Sequence, residues 1–300
     1  MSLPCETGII LGIIMASGTD QSSYSNNLLH QAVNGNDLVL VADILKTSSV
    51  GLAEDRSYDS GINDKDKFGC TPLYTSVLNG NVEMVRLLLE HGARVDDAVG
   101  SSGETALGVA TRNNSVRIVN MLLQEGADVN RQIGDSGDTV LHRAIYKNYP
   151  NLLQCFLEHG GNVDVKNKRG YTPLHIAARN DFEHIVRFLL ENGAHIDAVD
   201  KYLSTPLHCA AYWGNAKALK ELLIQNGHCL RKNNKSMTVM DVAKSNKRNN
   251  CIRLIYLYLS QWFYGRSVYL VLKRFGDSMK TDITHLQRYV IEYLVGRNEL

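Results

Sequence analysis

Three hundred residues with 44% apolar content can bury a large core, either as an elongated array or as two globular domains. The formal net charge of +1 hides an asymmetry: residues 231–300 carry thirteen Lys or Arg against five Asp or Glu, and the first 230 residues balance them with a net −7. No nucleic-acid-binding motif accompanies that basic end, which reads as a solvated face; six cysteines scattered without a C-x-x-C pair read as reduced thiols and exclude a disulfide framework.

The chain opens on an apolar stretch, Gly8 to Ala16. It is too short to span a bilayer and is preceded by Glu6 but no Lys or Arg, so no secretory signal is expected. Residues 1–25 form a disordered N-terminal segment in this reading, because ASGTDQSSYSNN is polar throughout. Met15 followed by Ala-Ser offers an alternative start, which would leave residues 1–14 outside the mature protein. Asn26 to Lys46 carries two amphipathic helices, with Leu29, Ala32 and Val33 on one and Leu38, Val41, Ile44 and Leu45 on the other. Asn34-Gly35 turns the chain between them, and Thr47 to Gly61 reads as a polar bulge.

From Asp66 onward one pattern repeats: a turn, a short helix, a turn, a longer helix and a loop. A threonine opens the first helix at Thr71, Thr105, Thr139, Thr172, Thr205 and Thr238, at spacings of 34, 34, 33, 33 and 33. A glycine is read as closing the second helix at Gly92, Gly126, Gly160, Gly193 and Gly227. Threonine is placed to cap, and Pro72, Pro173 and Pro206 fall at the first helical position, where a missing N–H costs nothing. A fixed period near 33 means stacked units, each with too little core of its own and each burying its faces on its neighbours.

The residues at these starts are TPLYTSV, TALGVAT, TVLHRAI, TPLHIAA, TPLHCAA and TVMDVAK. In register they resemble the ankyrin repeat, whose fingerprint is T-P-L-H-x-A-A, over roughly residues 26 to 260. The resemblance implies an all-α solenoid of about six repeats and an N-terminal half-repeat, with an ankyrin domain over 26–264 and a helical C-terminal module over 265–300. The second and third copies depart from the fingerprint, with Ala106, Gly108 and Val140 at its Pro, His and Pro places.

Nothing in the chain selects a reaction. His142, His175 and His208 recur one per repeat, whereas an active site needs one constellation; the resemblance makes them structural, bonding loop backbone. No H-E-x-x-H, G-x-S-x-G, P-loop or G-x-G-x-x-G is present. Asp64, Asp66 and Asp200 fall at loop tips, solvated or bonding turn backbone. No catalytic residue, cofactor or metal ligand is assigned.

The family implies binding through the hairpin tips and the exposed end of the first helix. The two positions after the Ala-Ala pair are Leu78 and Asn79, Arg112 and Asn113, Tyr146 and Lys147, Arg179 and Asn180, then Tyr212 and Trp213. Stacking places Tyr146, Arg179, Tyr212 and Trp213 in one patch, with Arg112 farther along and Tyr171 and Tyr202 on its rim. Tyr, Trp and Arg dominate interface hot spots. The competing reading packs Trp213 against the next repeat.

The tail resembles, in part, the ankyrin-and-SOCS-box proteins, substrate receptors of cullin-type ubiquitin ligases. Their box presents an aliphatic residue, a Cys and an aliphatic residue four apart to elongin; here the places hold Ile283, Gln287 and Ile291. The aliphatics fit, Gln287 does not, and a C-terminal cap is the reading preferred. The chain is therefore expected to be a monomeric, non-catalytic adaptor in the cytoplasm or nucleus, binding another protein and neither membrane nor nucleic acid. The alternative is a ligase substrate receptor.

Overall fold

The computed structural model describes residues 21–49, 61–100 and 102–260. Of the bulge expected over Thr47 to Gly61, residues 47–49 continue the preceding helix and 50–60 lie outside the described residues, as do residues 1–20 and the whole module 265–300, with Ile283, Gln287 and Ile291. Two compact units divide the chain, residues 1–169 and 170–300. In the first, helices pair as α1 (Gln21–Asn34) with α2 (Leu38–Ser49), α3 (Pro72–Leu78) with α4 (Val82–Glu90), α5 (Ala106–Arg112) with α6 (Val116–Gln124), and α7 (Val140–Tyr146) with α8 (Pro150–Glu158). In the second, α9 (Pro173–Arg179) pairs with α10 (Glu183–Glu191) and α11 (Pro206–Trp213) with α12 (Ala216–Ile224), and α13 (Val239–Ser245) precedes α14, residues 249–260.

The first helix starts at Gln21, five residues before the expected repeat boundary at Asn26. Its extra turn is Gln, Ser, Ser, Tyr and Ser, polar but free of Gly and Pro, so nothing breaks the helix where the apolar face runs out.

Each short helix begins on its threonine in extended backbone. The Thr71 hydroxyl accepts from the Tyr74 N–H and the Thr105 hydroxyl from the Gly108 N–H, both at 3.2 Å. The turn into the longer helix is always left-handed, at Gly80, Asn114, Asn148, Asp181, Gly214 and Lys247. The first five are Gly, Asn or Asp, the residues that enter this region at least cost, and Lys247 is the exception. Longer helices end on a second left-handed residue, Gly92, Gly126, Gly160 and Gly193 at φ +81 to +85°. In the fifth case that residue is Asn226 (φ +65°), not the expected Gly227. Gly227 takes the place held elsewhere by Ala93, Ala127 and Ala194; a β-carbon there would lie 2.7 Å from Leu207 Cδ1, so the leucine fills the methyl's space. Asn-Gly is ambiguous in sequence because either residue can turn left-handed.

The core lies between helix layers. Leu73, Val77, Val85, Leu88, Val109, Ile118, Leu122, Leu152 and Phe156 are buried in the first unit, and Leu174, Ile185, Leu189, Leu207, Leu219 and Leu222 in the second. Side chains also sew one repeat to the next. The carboxamide or carboxylate oxygens of Asn63, Asp96, Asn130 and Asp197 accept from the backbone N–H of Arg94, Asp128, Asn162 and His228, at 2.7 to 3.2 Å.

The hairpins account for the two repeat lengths. Asp66 to Cys70, Asp200 to Ser204 and Asn233 to Met237 close five-residue loops by a backbone bond of 2.9 to 3.0 Å. In each, the leading side-chain oxygen accepts two loop N–H groups. Val99 to Glu104 and Ile133 to Asp138 close six-residue loops, each with two left-handed glycines. The extra residue of a 34-residue repeat therefore sits in the hairpin and leaves the helix pair unaltered.

Candidate protein-interaction surface

In the second unit the small pairs Ala177-Ala178 and Ala210-Ala211 are fully buried, which lets α9 and α11 pack closely. The helix ends that follow emerge from the packing. Tyr212 and Trp213, the last residues of α11, are 49% and 46% exposed. Trp213 is thus not buried against the next repeat. The Arg179 guanidinium carbon lies 5.0 Å from its ring centroid, within cation–π range. Tyr212 meets the indole edge-on, centroids 5.4 Å apart at 74°.

Neighbouring groups hold this arrangement. The Asn215 amide donates to the carbonyls of Ala178 and Arg179 at 2.9 and 2.5 Å, and Asp181 Oδ1 accepts from the Ala218 N–H at 2.8 Å. Gly214 caps α11 at φ +83°; a β-carbon there would come 2.9 Å from Arg248 Cδ. The glycine thereby admits Arg248, whose Nε donates to the Tyr212 carbonyl at 3.1 Å, at the negative end of the helix. The basic run KSNKR carries no sign in the sequence that Arg248 would join Tyr212, thirty-six positions away.

At the other end of α11 stands the hairpin tip. Tyr202 and Leu203 are 58% and 50% exposed, and Leu203 is left-handed at φ +56°. Gly69 and Gly170 hold the corresponding place in other hairpins. A leucine in this region costs about 1–2 kcal/mol, so the fold retains an exposed apolar side chain at some cost in strain. The tip is fixed by Asp200, buried, which accepts from the N–H groups of Tyr202 and Ser204. The Tyr202 carbonyl accepts from Asn234 N–H at 2.9 Å.

Tyr171, expected on the rim, is instead half-buried and stacks on the His175 ring with centroids 5.7 Å apart. Its position in sequence does not reveal the ring beside it. In the first unit Tyr146 ends α7 and is 38% exposed, and Arg112 ends α5, exposed, with its guanidinium on the Tyr74 hydroxyl.

The recurrent histidines are structural. Nδ1 of His142, His175 and His208 accepts from the backbone N–H of Thr139, Thr172 and Thr205, each at 3.2 Å. That fixes the proton on Nε2, which His175 donates to Ser204 O at 3.0 Å and His208 to Met237 O at 3.2 Å. Burial pushes the His208 pKa below its ordinary value. In the second copy Gly108 stands where the histidine would be. The Glu104–Arg143 ion pair, 2.5 Å and largely buried, occupies the space beside it. Burial pushes the Cys251 thiol up to about 11, which keeps it protonated and unreactive. Among the described residues no group of His, Cys, Asp or Glu is arranged to hold a metal, and no helix is long and apolar enough to cross a membrane.

Profiles of ankyrin repeats match residues 29–133 and 131–200 as three-copy arrays, and a many-copy ankyrin profile matches 183–223. The chain belongs to the ankyrin-repeat family. The ankyrin repeat domain of Bcl-3, described as a unique member of the IkappaB protein family, is similar at 26% identity and a TM-score of 0.67; the match covers 76% of this chain and 97% of that one. An ankyrin repeat domain from Acinetobacter baumannii AYE is similar at 25% identity and a TM-score of 0.57, over 62% of this chain and 97% of its own. The fold class is the all-α ankyrin solenoid. Ankyrin repeats are generally protein–protein interaction modules, and the fold is typically a non-catalytic scaffold.

Proposed function

We propose that this ankyrin protein is a non-catalytic adaptor in the cytoplasm or nucleus. In this reading it binds another protein through first-helix ends and hairpin tips of the unit beginning at Gly170. One observation carries the reading: the aromatic pair Tyr212 and Trp213 is held half-exposed under Arg179, with the Asn215 and Arg248 side chains bonding the backbone carbonyls around it. A rigid surface of this kind orders few groups on binding and so keeps most of its contact energy. The strained, exposed Leu203 adds an apolar anchor that stability alone would replace with glycine. The described cysteines are all free thiols, in keeping with a reducing compartment.

The test is affinity capture with the full chain, the Tyr212→Ala/Trp213→Ala variant and a control altered at Glu191 on the exposed side of α10. Partners retained by the control and lost by the double variant would support this surface. Equal capture by all three would place binding elsewhere.

A further inference from the structure

The charges around the aromatic pair give the surface a sign. Residues 170–260 hold twelve Lys or Arg against seven Asp or Glu. On the longer helices Arg187 is matched: it bridges Glu183 and the buried Glu221, whose carboxyl its guanidinium holds below the usual range. Asp181, Asp200 and Asp241 each accept from backbone N–H groups. Arg179 and Arg248 differ. Among the described residues neither is ion-paired, and the Arg179 side chain donates to no acceptor. Arg179 lies against Trp213, Trp213 against Tyr212, and the Tyr212 carbonyl against Arg248. The result is a strip of linked contacts in which two guanidinium groups accompany two half-exposed aromatic rings.

We propose that this strip docks an acidic segment of the partner protein, with an aliphatic or aromatic side chain seated on Trp213 and Tyr212 and carboxylates on Arg179 and Arg248. The proposal rests on the protein-binding reading above and adds the chemistry of the occupant. A guanidinium held over an indole keeps its planar N–H fork for a carboxylate, and Arg loses less freedom than Lys in making that pair. Two arginines beside an apolar centre match a short motif that mixes acidic and apolar residues. A nucleic-acid strand asks instead for an open aromatic face and a row of cations tracking phosphates. Here Arg179 covers one face of the indole, and the cations beside the rings are two rather than a row. The Tyr202–Leu203 tip lies at the far end of α11, about 12 Å along an eight-residue helix. An extended segment of about four residues spans that distance, so one peptide can reach both.

The experiment selects random twelve-residue peptides on the full chain and measures the winners by fluorescence anisotropy. Peptides combining Asp or Glu with Leu, Phe or Trp are expected. Their affinity should fall at least tenfold in Arg179→Glu and in Arg248→Glu, with folding checked by circular dichroism. Replacing the acidic residues of the peptide by Lys one at a time should, at the position that faces residue 179, restore binding to Arg179→Glu and weaken it for the unaltered protein. Arg179 is half-exposed and, among the described residues, its side chain bonds no backbone group, so this swap stands even where Arg248→Glu fails to fold. Enriched peptides without acidic bias, or indifference to the charge swap while Tyr212→Ala/Trp213→Ala still abolishes binding, would overturn the acidic occupant and leave the protein-binding surface standing. Peptides insensitive to the aromatic double variant, or no enriched peptide at all, would overturn both. Tighter binding of a twelve-nucleotide oligothymidylate, lost in the same arginine variants, would assign the strip to nucleic acid and overturn the proposal.

Discussion

Replacing His175 by alanine tests the internal framework most directly. The ring is almost wholly buried, as is Thr172, whose N–H it accepts at 3.2 Å, and its Nε2 proton goes to Ser204 O at 3.0 Å. Alanine leaves both backbone groups without this partner. A buried orphan costs about 1–3 kcal/mol. Thr172 N–H takes a value in the upper part of that range, while the half-buried Ser204 carbonyl keeps its bond from the Asp200 N–H and loses only the net value of one hydrogen bond, about 0.5–1 kcal/mol. The lost stack with Tyr171 adds about 0.5–1.5 kcal/mol. The sum is a destabilisation of about 3–5 kcal/mol, or about 6–20 °C in melting temperature for an array of this size. His175→Gln is the discriminating partner. Its amide oxygen can accept from Thr172 as in a capping box and its NH2 can donate to Ser204, so it should recover more than half of the loss. Urea and thermal melts followed by circular dichroism give both numbers. If His175→Ala cost under about 1 kcal/mol, or if the glutamine variant were no better than alanine, the hydrogen-bond account of the repeat would be refuted.

The buried His208 predicts a pH dependence. Its folded pKa lies below the ordinary 6.5, so the unfolded chain takes up the proton first as pH falls. Its contribution to stability is complete above about pH 6.5 and is lost below it; the urea midpoint should drop from pH 7 to pH 5.5, with a smaller drop in His208→Gln. Leu203→Gly should relieve left-handed strain of about 1–2 kcal/mol, less about 0.5–1 kcal/mol for the freer unfolded chain. The melting temperature should rise by a few degrees while partner affinity falls, and a fall in both would remove strain from the explanation. Gly108→Ala should destabilise by about 1–3 kcal/mol, because the new methyl strikes the Glu104 carboxylate paired with Arg143. The melt should be recovered in part by Glu104→Ala in the same background, since the obstructing group is then gone.

Much of this protein was legible because its signals are local and repeated. Thr at the cap and Pro at the first helical position act within one turn, and a 33-residue period multiplies a weak pattern into a firm one. What escaped was set by side-chain contacts, several of them distant in sequence, and by one ambiguous turn. Gly108 was visible as a departure, but the ion pair beside it joins Glu104 to Arg143 across thirty-nine positions. Tyr171 read as a rim residue because sequence gives its place but not the ring it stacks on. Arg248 completes the aromatic strip only because Gly214, a residue whose left-handed turn already explained it, also clears its path. The Gly227 misplacement came from a dipeptide whose two residues compete for one conformation.

The two hairpin lengths have an evolutionary consequence. Five- and six-residue loops close onto the same helix pair, so length can change there while the stack keeps its register. Insertions at Gly100–Gly103 or Gly134–Gly137 would extend a loop already built around two flexible glycines. Those tips are therefore natural ports for splicing in foreign peptide. Through them the array can acquire a new recognition element in one genetic step, without renegotiating a single helix contact.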